Sequence, residues 1–253
     1  MKSDKNVYEV IRVMGGVALF LEDHFDRLQK SLVIQRINFE MDFRSFKQKI
    51  AGLISLNLVT EGNIKVVYAV SETESRWDFS FIPHNYPDSE DYRNGVLTDL
   101  LEAERENPNA KVIQHSVRDS ANQQIADQLI YEVLLVDRTG LITEGSRSNV
   151  FFVKGNVFYT APASQVLVGI TRQKVLECLS ELGFQILEEA VSVSLISRFD
   201  AVFLTGTSPK ILPVRSVGDQ VYSVQHDCVQ QVMDRYDRKI AAYIEQERIG
   251  AGK

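Results

Sequence analysis

The sequence predicts an α+β protein in two parts: a small α+β domain over residues 1–105 and a larger β-rich domain over 114–253, joined by an interdomain segment, 106–113. Three observations predict it. The first hundred residues alternate strand-like and helix-like patterns. A polar, acidic, pattern-poor stretch from Asp88 to Pro108 follows, and Glu102 to Pro108 is its best linker candidate. Beyond it, short runs of β-branched and aromatic residues recur between turn signals, with helical patterns set among them. At 253 residues the chain can bury the cores of one large domain or two small ones.

Val7 to Val13 alternates and is rich in β-branched residues; Gly15-Gly16 and Val17 to Phe20 complete a hairpin. A helix follows from Asp23 to Leu32. Asp42 caps a second helix, with Phe43, Phe46, Ile50, Leu53 and Ile54 on its apolar face. Asn63 to Val70 is a strand and Trp77 to Ile82 its partner. After Lys111 a helix carries Val117, Ala121, Ile125 and Leu129 on one side. Tyr131 to Val136 is a strand, Asp137 to Gly140 a turn, and Leu141 to Val153 further strand. Lys154-Gly-Asn156 turns into Val157 to Thr160. A helix begins near Thr171, points Val175, Leu176, Leu179 and Leu182 inward, and stops at Gly183. Strands recur at 184–187 and 201–205. A last helix carries Val229, Val232, Met233, Tyr236, Ile240, Tyr243 and Ile244.

Composition narrows the function classes. A net charge of −6 with no basic stripe argues against nucleic-acid binding. No apolar run approaches the roughly 18 residues of a membrane span. The start, Met1 to Asn6, lacks the apolar core of a signal peptide. Cys178 and Cys228 lie in helical patterns as small hydrophobes, and two cysteines in this length point to a reducing compartment. The expectation is a cytoplasmic protein that contacts neither membrane nor nucleic acid.

The chemistry-bearing segments place small, polar or anion-binding groups where apolar runs meet turns. Glu144 ends a strand before Gly145-Ser146 and reads either as a surface carboxylate or as one facing a cleft. Gly169-Ile170-Thr171 opens a helix whose free N–H groups and dipole favour an anion. Thr205 to Ser208 resembles a second amide nest. Together they suit a cofactor with a basic ring nitrogen at one end and a phosphate at the other, a description that pyridoxal phosphate fits. Such a cofactor also needs a lysine to bond its aldehyde. Composition cannot choose among the lysines; Lys111, at the domain junction, is the candidate by position. In isolation Arg27 reads as a surface arginine paired with Asp23 or Asp26, His24 as a structural histidine, and Arg172 as a solvated first-turn side chain.

Taken together, these segments resemble the fold-type IV pyridoxal-phosphate enzymes, which include branched-chain and D-amino-acid aminotransferases and aminodeoxychorismate lyases. The resemblance runs from about Val7 to Val214. It rests on Val7-Tyr-Glu-Val10, His24-Phe-Asp-Arg-Leu28 with Ser31, Tyr131 to Leu135, Thr143-Glu-Gly-Ser-Arg-Ser-Asn149, Leu167-Val-Gly-Ile-Thr-Arg172, and Thr205-Gly-Thr207 with Pro213-Val214. It implies a β-rich pseudo-barrel with surrounding helices for the larger domain. It also assigns roles: Lys111 to the imine lysine, Glu144 to the acid paired with the pyridine nitrogen, and Arg27 to the phosphate. Ile170 and Thr171 give main-chain N–H groups to that phosphate, and Thr207 a hydroxyl or N–H. Thr207-Ser208 lies beside the substrate carboxylate, and Tyr8 and Arg12, alternating with Glu9 and Ile11, face the substrate pocket.

The resemblance implies transamination between an amino acid and a 2-oxo acid, by a homodimer. Pyruvate elimination from aminodeoxychorismate is the alternative within the family. A non-catalytic homologue is the alternative outside it, suggested by a start almost at Tyr8, where relatives carry further strands and the small domain would lack an edge. Ser116 stands where branched-chain enzymes carry a tyrosine. No clear match to the carboxylate-binding arginine and histidine of the D-amino-acid enzymes occurs near Trp77 to His84.

Overall fold

The computed structural model describes residues 5–71, 74–105, 108–112 and 115–251. The chain divides into two compact units. One comprises residues 1–85, 110–113 and 238–253; the other comprises 86–109 and 114–237. Relative to the expected boundaries, 86–105 falls with the larger unit and 238–253 with the smaller. Of the expected interdomain segment, residues 106, 107 and 113 lie outside the described residues, as do residues 1–4.

The smaller unit is a four-stranded antiparallel sheet, β2-β1-β3-β4, built from β1 (Lys5–Met14), β2 (Val17–Ala18), β3 (Glu61–Val70) and β4 (Ser75–Ile82). Helices α1 (Leu21–Ile34) and α2 (Phe43–Asn57) belong to the same unit. Strand alternation sends Val7, Ile11, Val13, Ile64 and Val66 into the core with Phe25, Leu28, Leu32, Phe46 and Ile50. The opposite face carries Tyr8, Arg12 and Lys65, all half-buried. Asp42 caps α2 through Ser45 N–H at 2.7 Å. Of the predicted α2 face, Phe46 and Ile50 are fully buried, and Phe43, Leu53 and Ile54 pack half-buried beside them. The edge of β1 opposite β3 is met by β2 at Val13 and Met14 and by Val112 at Val7.

The larger unit holds a ten-stranded mixed sheet, ordered β10-β9-β8-β12-β13-β5-β6-β7-β11 with β14 on β13. Its strands are β5 (Val96–Glu102), β6 (Glu132–Val136), β7 (Leu141–Gly145), β8 (Asn149–Lys154), β9 (Val157–Tyr159), β10 (Gln185–Leu187), β11 (Val191–Ser192), β12 (Ala201–Gly206), β13 (Lys210–Val217) and β14 (Gln220–Val221). Helices α3 (Ser89–Asn94), α4 (His115–Gln128) and α5 (Ile170–Glu181) belong to it, and α6 (Asp227–Ala251) contributes its first turns. One face of the sheet buries Val150, Phe152, Val202, Leu204 and Val214. On the alternate positions Phe151 stacks on Phe203, with centroids 4.9 Å apart. The mixed α+β class and the β-rich second unit match the expectation.

Several elements differ from it. The stretch predicted as pattern-poor contains α3 and β5, and β5 sits inside the sheet, parallel to both β6 and β13. Its burial does not alternate cleanly, and Asp99 spends its carboxylate on the Leu100 N–H, so the sequence lacks the apolar run of a central strand. Pro213 sits within β13, where proline normally argues against a strand; the ladder to β5 begins one residue later, at Val214. Leu129 and Leu182 do not face the core. Leu129 lies past the end of α4 at φ 54° and is 87% exposed, and Leu182 caps α5. The inner stripe of α5 is instead Ile170, Thr171, Val175, Cys178 and Leu179. Arg172, expected in solvent, is only 2% exposed: its Nη2 donates to Ala161 O at 2.9 Å and to Glu188 at 2.8 Å.

Candidate active site

In the smaller unit the candidate groups gather around β1. The phase of β1 that enters the core reads Val7, Glu9, Ile11, Val13, and so buries a carboxylate. Glu9 is met by α1. Arg27 forks onto it, Nε to Oε1 at 2.8 Å and Nη2 to Oε2 at 2.5 Å, and His24 Nδ1 lies 2.8 Å from Oε2. Burial alone would raise the Glu9 carboxyl; the Arg27 charge and the His24 and Arg27 hydrogen bonds outweigh it and hold it at about 2. Burial pushes His24 below its usual value, against the pull of Glu9. Since the ionised Glu9 only accepts, Nδ1 of His24 carries the donated proton. Arg27 is therefore a buried arginine bonded to Glu9, not the surface partner of Asp23 or Asp26 that it reads as in isolation.

Lys111 follows the same strand. Its N–H donates to Ser31 Oγ at 3.2 Å, its C=O accepts from Tyr8 N–H at 3.1 Å, and its ammonium lies 4.9 Å from the Tyr8 ring centroid. The 111–112 segment is thus tied to β1 and α1 by backbone, leaving the half-buried Lys111 side chain over an aromatic face. Tyr8 and Arg12 share one face of β1, as alternation requires. Ser116 falls within α4; its side chain lies outside the described residues.

In the larger unit the candidates cluster at one end of the β8–β12 pair. Glu144, 3% exposed, closes β7. Its Oε2 accepts from Leu167 N–H at 3.2 Å and from Asn149 Nδ2 at 3.5 Å. Arg105 Nε stands 2.8 Å from Oε1, but its N–H is not directed at that oxygen, so the contact is an ion pair and not a formed hydrogen bond. Asn149 also donates to Leu167 O at 2.9 Å, and any side chain at Gly169 would collide with its Oδ1. Gly169 is the N-cap of α5 and offers no side-chain cap. The buried Ile170 and Thr171 therefore open a helix whose first-turn N–H groups have no side-chain cap among the described residues. Thr205 pairs with Asn149 across the strands, and its buried hydroxyl has no partner among the described residues. Thr207 and Ser208 follow in the half-buried turn after β12.

The turn after Glu144 is built on Glu132. This buried carboxylate accepts from Ser146 Oγ (2.6 Å), Ser148 Oγ (3.0 Å), Arg147 N–H (3.0 Å) and Val133 N–H (3.0 Å). It also crowds the space a side chain at Gly145 would need. Sequence reasoning singled out neither Glu9, Glu132 nor Arg105. For Glu9 the signal was present: a charged residue on the core phase of an alternating strand. Glu132 heads an apolar strand in the same way. Arg105 carries no local signal.

Among the described residues, the larger unit offers a buried acid with acceptor capacity, N–H donors at an uncapped helix start and an unpaired hydroxyl. The smaller offers an amine over an aromatic ring and a buried arginine. Residues 6–217 match the family Amino-transferase class IV. The chain is 30% identical to D-alanine aminotransferase of Bacillus licheniformis over 227 residues, 85% of this chain and 79% of that one. It is 26% identical to a putative branched-chain-amino-acid aminotransferase of Methanocaldococcus jannaschii over 85% of this chain and 79% of that one. In fold it is similar to a putative 4-amino-4-deoxychorismate lyase of Legionella pneumophila (TM-score 0.83, 21% identity, 92% of this chain and 90% of that one). With most of its length inside the family match, the chain belongs to the class IV aminotransferases, enzymes that use pyridoxal phosphate.

Proposed function

We propose that the protein moves an amino group between an amino acid and a 2-oxo acid, with Lys111 as the covalent anchor of pyridoxal phosphate. When bound, the cofactor supplies an aldehyde that captures amines and a ring that accepts the electron pair left at the substrate Cα. Lys111 provides the anchoring amine; once released by substrate, that amine takes the Cα proton as a base and returns a proton as an acid. Glu144 keeps the proton on the ring nitrogen. Arg27, the N–H groups of Ile170 and Thr171, and Thr207 hold the phosphate. Tyr8, Arg12, Thr207 and Ser208 line the place of the substrate.

The observation that carries this reading is Glu144: a buried carboxylate, oriented by Leu167 N–H and Arg105, in the same unit as the uncapped start of α5. The unpaired Thr205 hydroxyl beside Asn149 adds a donor still without an acceptor. An acid for a ring nitrogen and N–H donors for a phosphate are the set this cofactor requires, and these residues fit it.

The test is reductive trapping. Borohydride treatment of the cofactor-loaded protein is expected to fix the label on Lys111 in peptide maps, and a label on Lys65 or Lys210 would overturn the assignment. A purified protein with no visible cofactor band after loading would instead favour the non-catalytic homologue. The likeness to a lyase motivates a second reading, pyruvate elimination. Release of pyruvate and 4-aminobenzoate from aminodeoxychorismate without an amino acceptor would establish it. We further propose a homodimer, to be read from solution mass. We assign the protein to the cytoplasm: its cysteines, buried Cys178 and half-buried Cys228, are free thiols, as a reducing compartment keeps them. Among the described residues no helix is long and apolar enough to cross a membrane.

A further inference from the structure

Arg172 stands in the first turn of α5, after the N-cap Gly169, and is 2% exposed. The first intrahelical bond of α5 runs from Gln173 N–H to Gly169 O at 3.0 Å, so the N–H groups of Ile170, Thr171 and Arg172 precede it. That first turn carries no acidic residue. A cation there opposes the helix dipole, and burying it adds a desolvation cost. Its neutralisation is partial. Nη2 meets Glu188 at 2.8 Å, but the Glu188 side chain is 49% exposed and its charge is screened by solvent. Nη2 also donates to Ala161 O at 2.9 Å, and the buried Nε has no partner among the described residues. The buried Thr205 hydroxyl likewise has none. The chain that leads into α5 is thus held at Ala161 by Arg172 and at Leu167 by Glu144 and Asn149. A buried cation set against the dipole makes physical sense if an anion completes the site.

We propose that Arg172 is a positioning residue for the cofactor phosphate. It does not touch the phosphate; it lends positive charge to the start of α5 and acts through the N–H groups of Ile170 and Thr171. The inference rests on the assignment of the phosphate to that start. A helical side chain leans back over the preceding turn. The Arg172 Cβ lies 3.6 Å from the point where a Gly169 side chain would begin, so the stem of Arg172 packs on the N-cap itself. A dianion at the N–H groups offsets both the opposed dipole and the burial of the guanidinium. Glu188 sets how much of the charge is felt there, because it is the acid that pairs with Arg172 among the described residues.

The experiment uses the full-length chain freed of cofactor, as parent, R172M, R172K, E188Q and G169A. Calorimetry measures the binding of pyridoxal phosphate, pyridoxal and inorganic phosphate, with thermal unfolding beside it. R172M is expected to weaken pyridoxal phosphate and inorganic phosphate about tenfold, the scale of a partly buried charge at a helix end, and to leave pyridoxal unchanged. R172K, which keeps the charge, is expected to recover most of the loss. E188Q, which unmasks the charge, is expected to tighten both phosphates about threefold, the scale of one charge acting on a helix start. An arginine that only props up the fold would lower pyridoxal and pyridoxal phosphate alike, and E188Q would bind phosphate no tighter than the parent; either result overturns the proposal. Parental phosphate binding by R172M overturns it too. Should R172M not fold, R172Q makes the same comparison. G169A, whose methyl collides with Asn149 Oδ1, tests the reading beneath the proposal. If G169A binds phosphate as the parent does, the functional reading fails first. If G169A loses phosphate while R172M and E188Q behave as the parent, this inference alone fails.

Discussion

Glu144 and Arg27 differ in what their loss should do, because one is assigned to chemistry and the other to binding. Glu144→Gln keeps the shape that accepts from Leu167 N–H but removes the charge facing Arg105. Turnover is expected to fall about 10²-fold or more, as when a preorganised partner of the transition state is lost, with cofactor affinity only modestly reduced. Transamination by Glu144→Gln at the parental rate would return this glutamate to a structural role. Arg27→Ala is expected to weaken cofactor binding by about 2–4 kcal/mol, the scale for stripping one partner from a desolvated charge pair. The same substitution leaves Glu9 buried without its guanidinium, so part of the measured loss will appear as stability. Equilibrium titration of the cofactor, set beside thermal unfolding of the unloaded protein, separates the two.

At the scale of elements, the turn between β7 and β8 matters most, because Glu144 precedes it and Asn149 follows it. Its geometry is imposed from β6 by Glu132, whose carboxylate gathers two hydroxyls and the Arg147 N–H. Glu132→Ala removes the acceptor and leaves buried donors unmet. A destabilisation of about 3 kcal/mol is expected in denaturant unfolding, well above that of an ordinary surface change. Unfolding unchanged from the parent would show that the turn holds its shape without Glu132. By contrast Asp42→Ala, which removes a single exposed cap from α2, should cost about 1 kcal/mol and leave cofactor binding intact.

For the whole molecule, the Glu9–His24–Arg27 cluster couples stability to pH. Glu9 is held near 2 in the folded chain against an ordinary 4.5, so its contribution is complete above about 4.5 and is lost as pH falls toward 2. It amounts to on the order of 3 kcal/mol. Burial lowers His24 from its ordinary 6.5, so the unfolded chain takes up that proton first and stability begins to fall as pH drops below about 6.5. Thermal melts from pH 8 to pH 3 should therefore show a decline that starts near 6.5 and steepens below 4.5. His24→Gln, which cannot take a proton, should flatten the first part and leave the second. A melting curve in which the variant and the parent fall together from pH 6.5 would remove His24 from this account.

Strand and helix placement over most of the chain is legible from the sequence because it depends on local periodicity. The alternation of Val7 to Val13, the Asp42 cap and the apolar stripe of the last helix are each visible within a dozen residues. So are the segments that hold Glu144, Ile170, Thr171 and Thr207, because turn chemistry and a helix start are local too. What only the tertiary structure decides are partnerships between distant residues. Strand β5 is built into a sheet whose neighbours lie thirty or more residues away, so its weak pattern concealed its position. Arg172 turns inward because Ala161 O and Glu188 are there to receive it, and no property of its own helix says so. Glu9 tolerates burial because α1 returns Arg27 and His24 to it, and Glu132 does so because the chain returns two serines and an amide. Lys65 is the reverse case: the fold brings it beside Tyr8, and among the described residues no acid pairs with it. A buried or half-buried charge is settled by whichever groups the fold delivers to it, and that information lies in the topology, not in the neighbouring sequence.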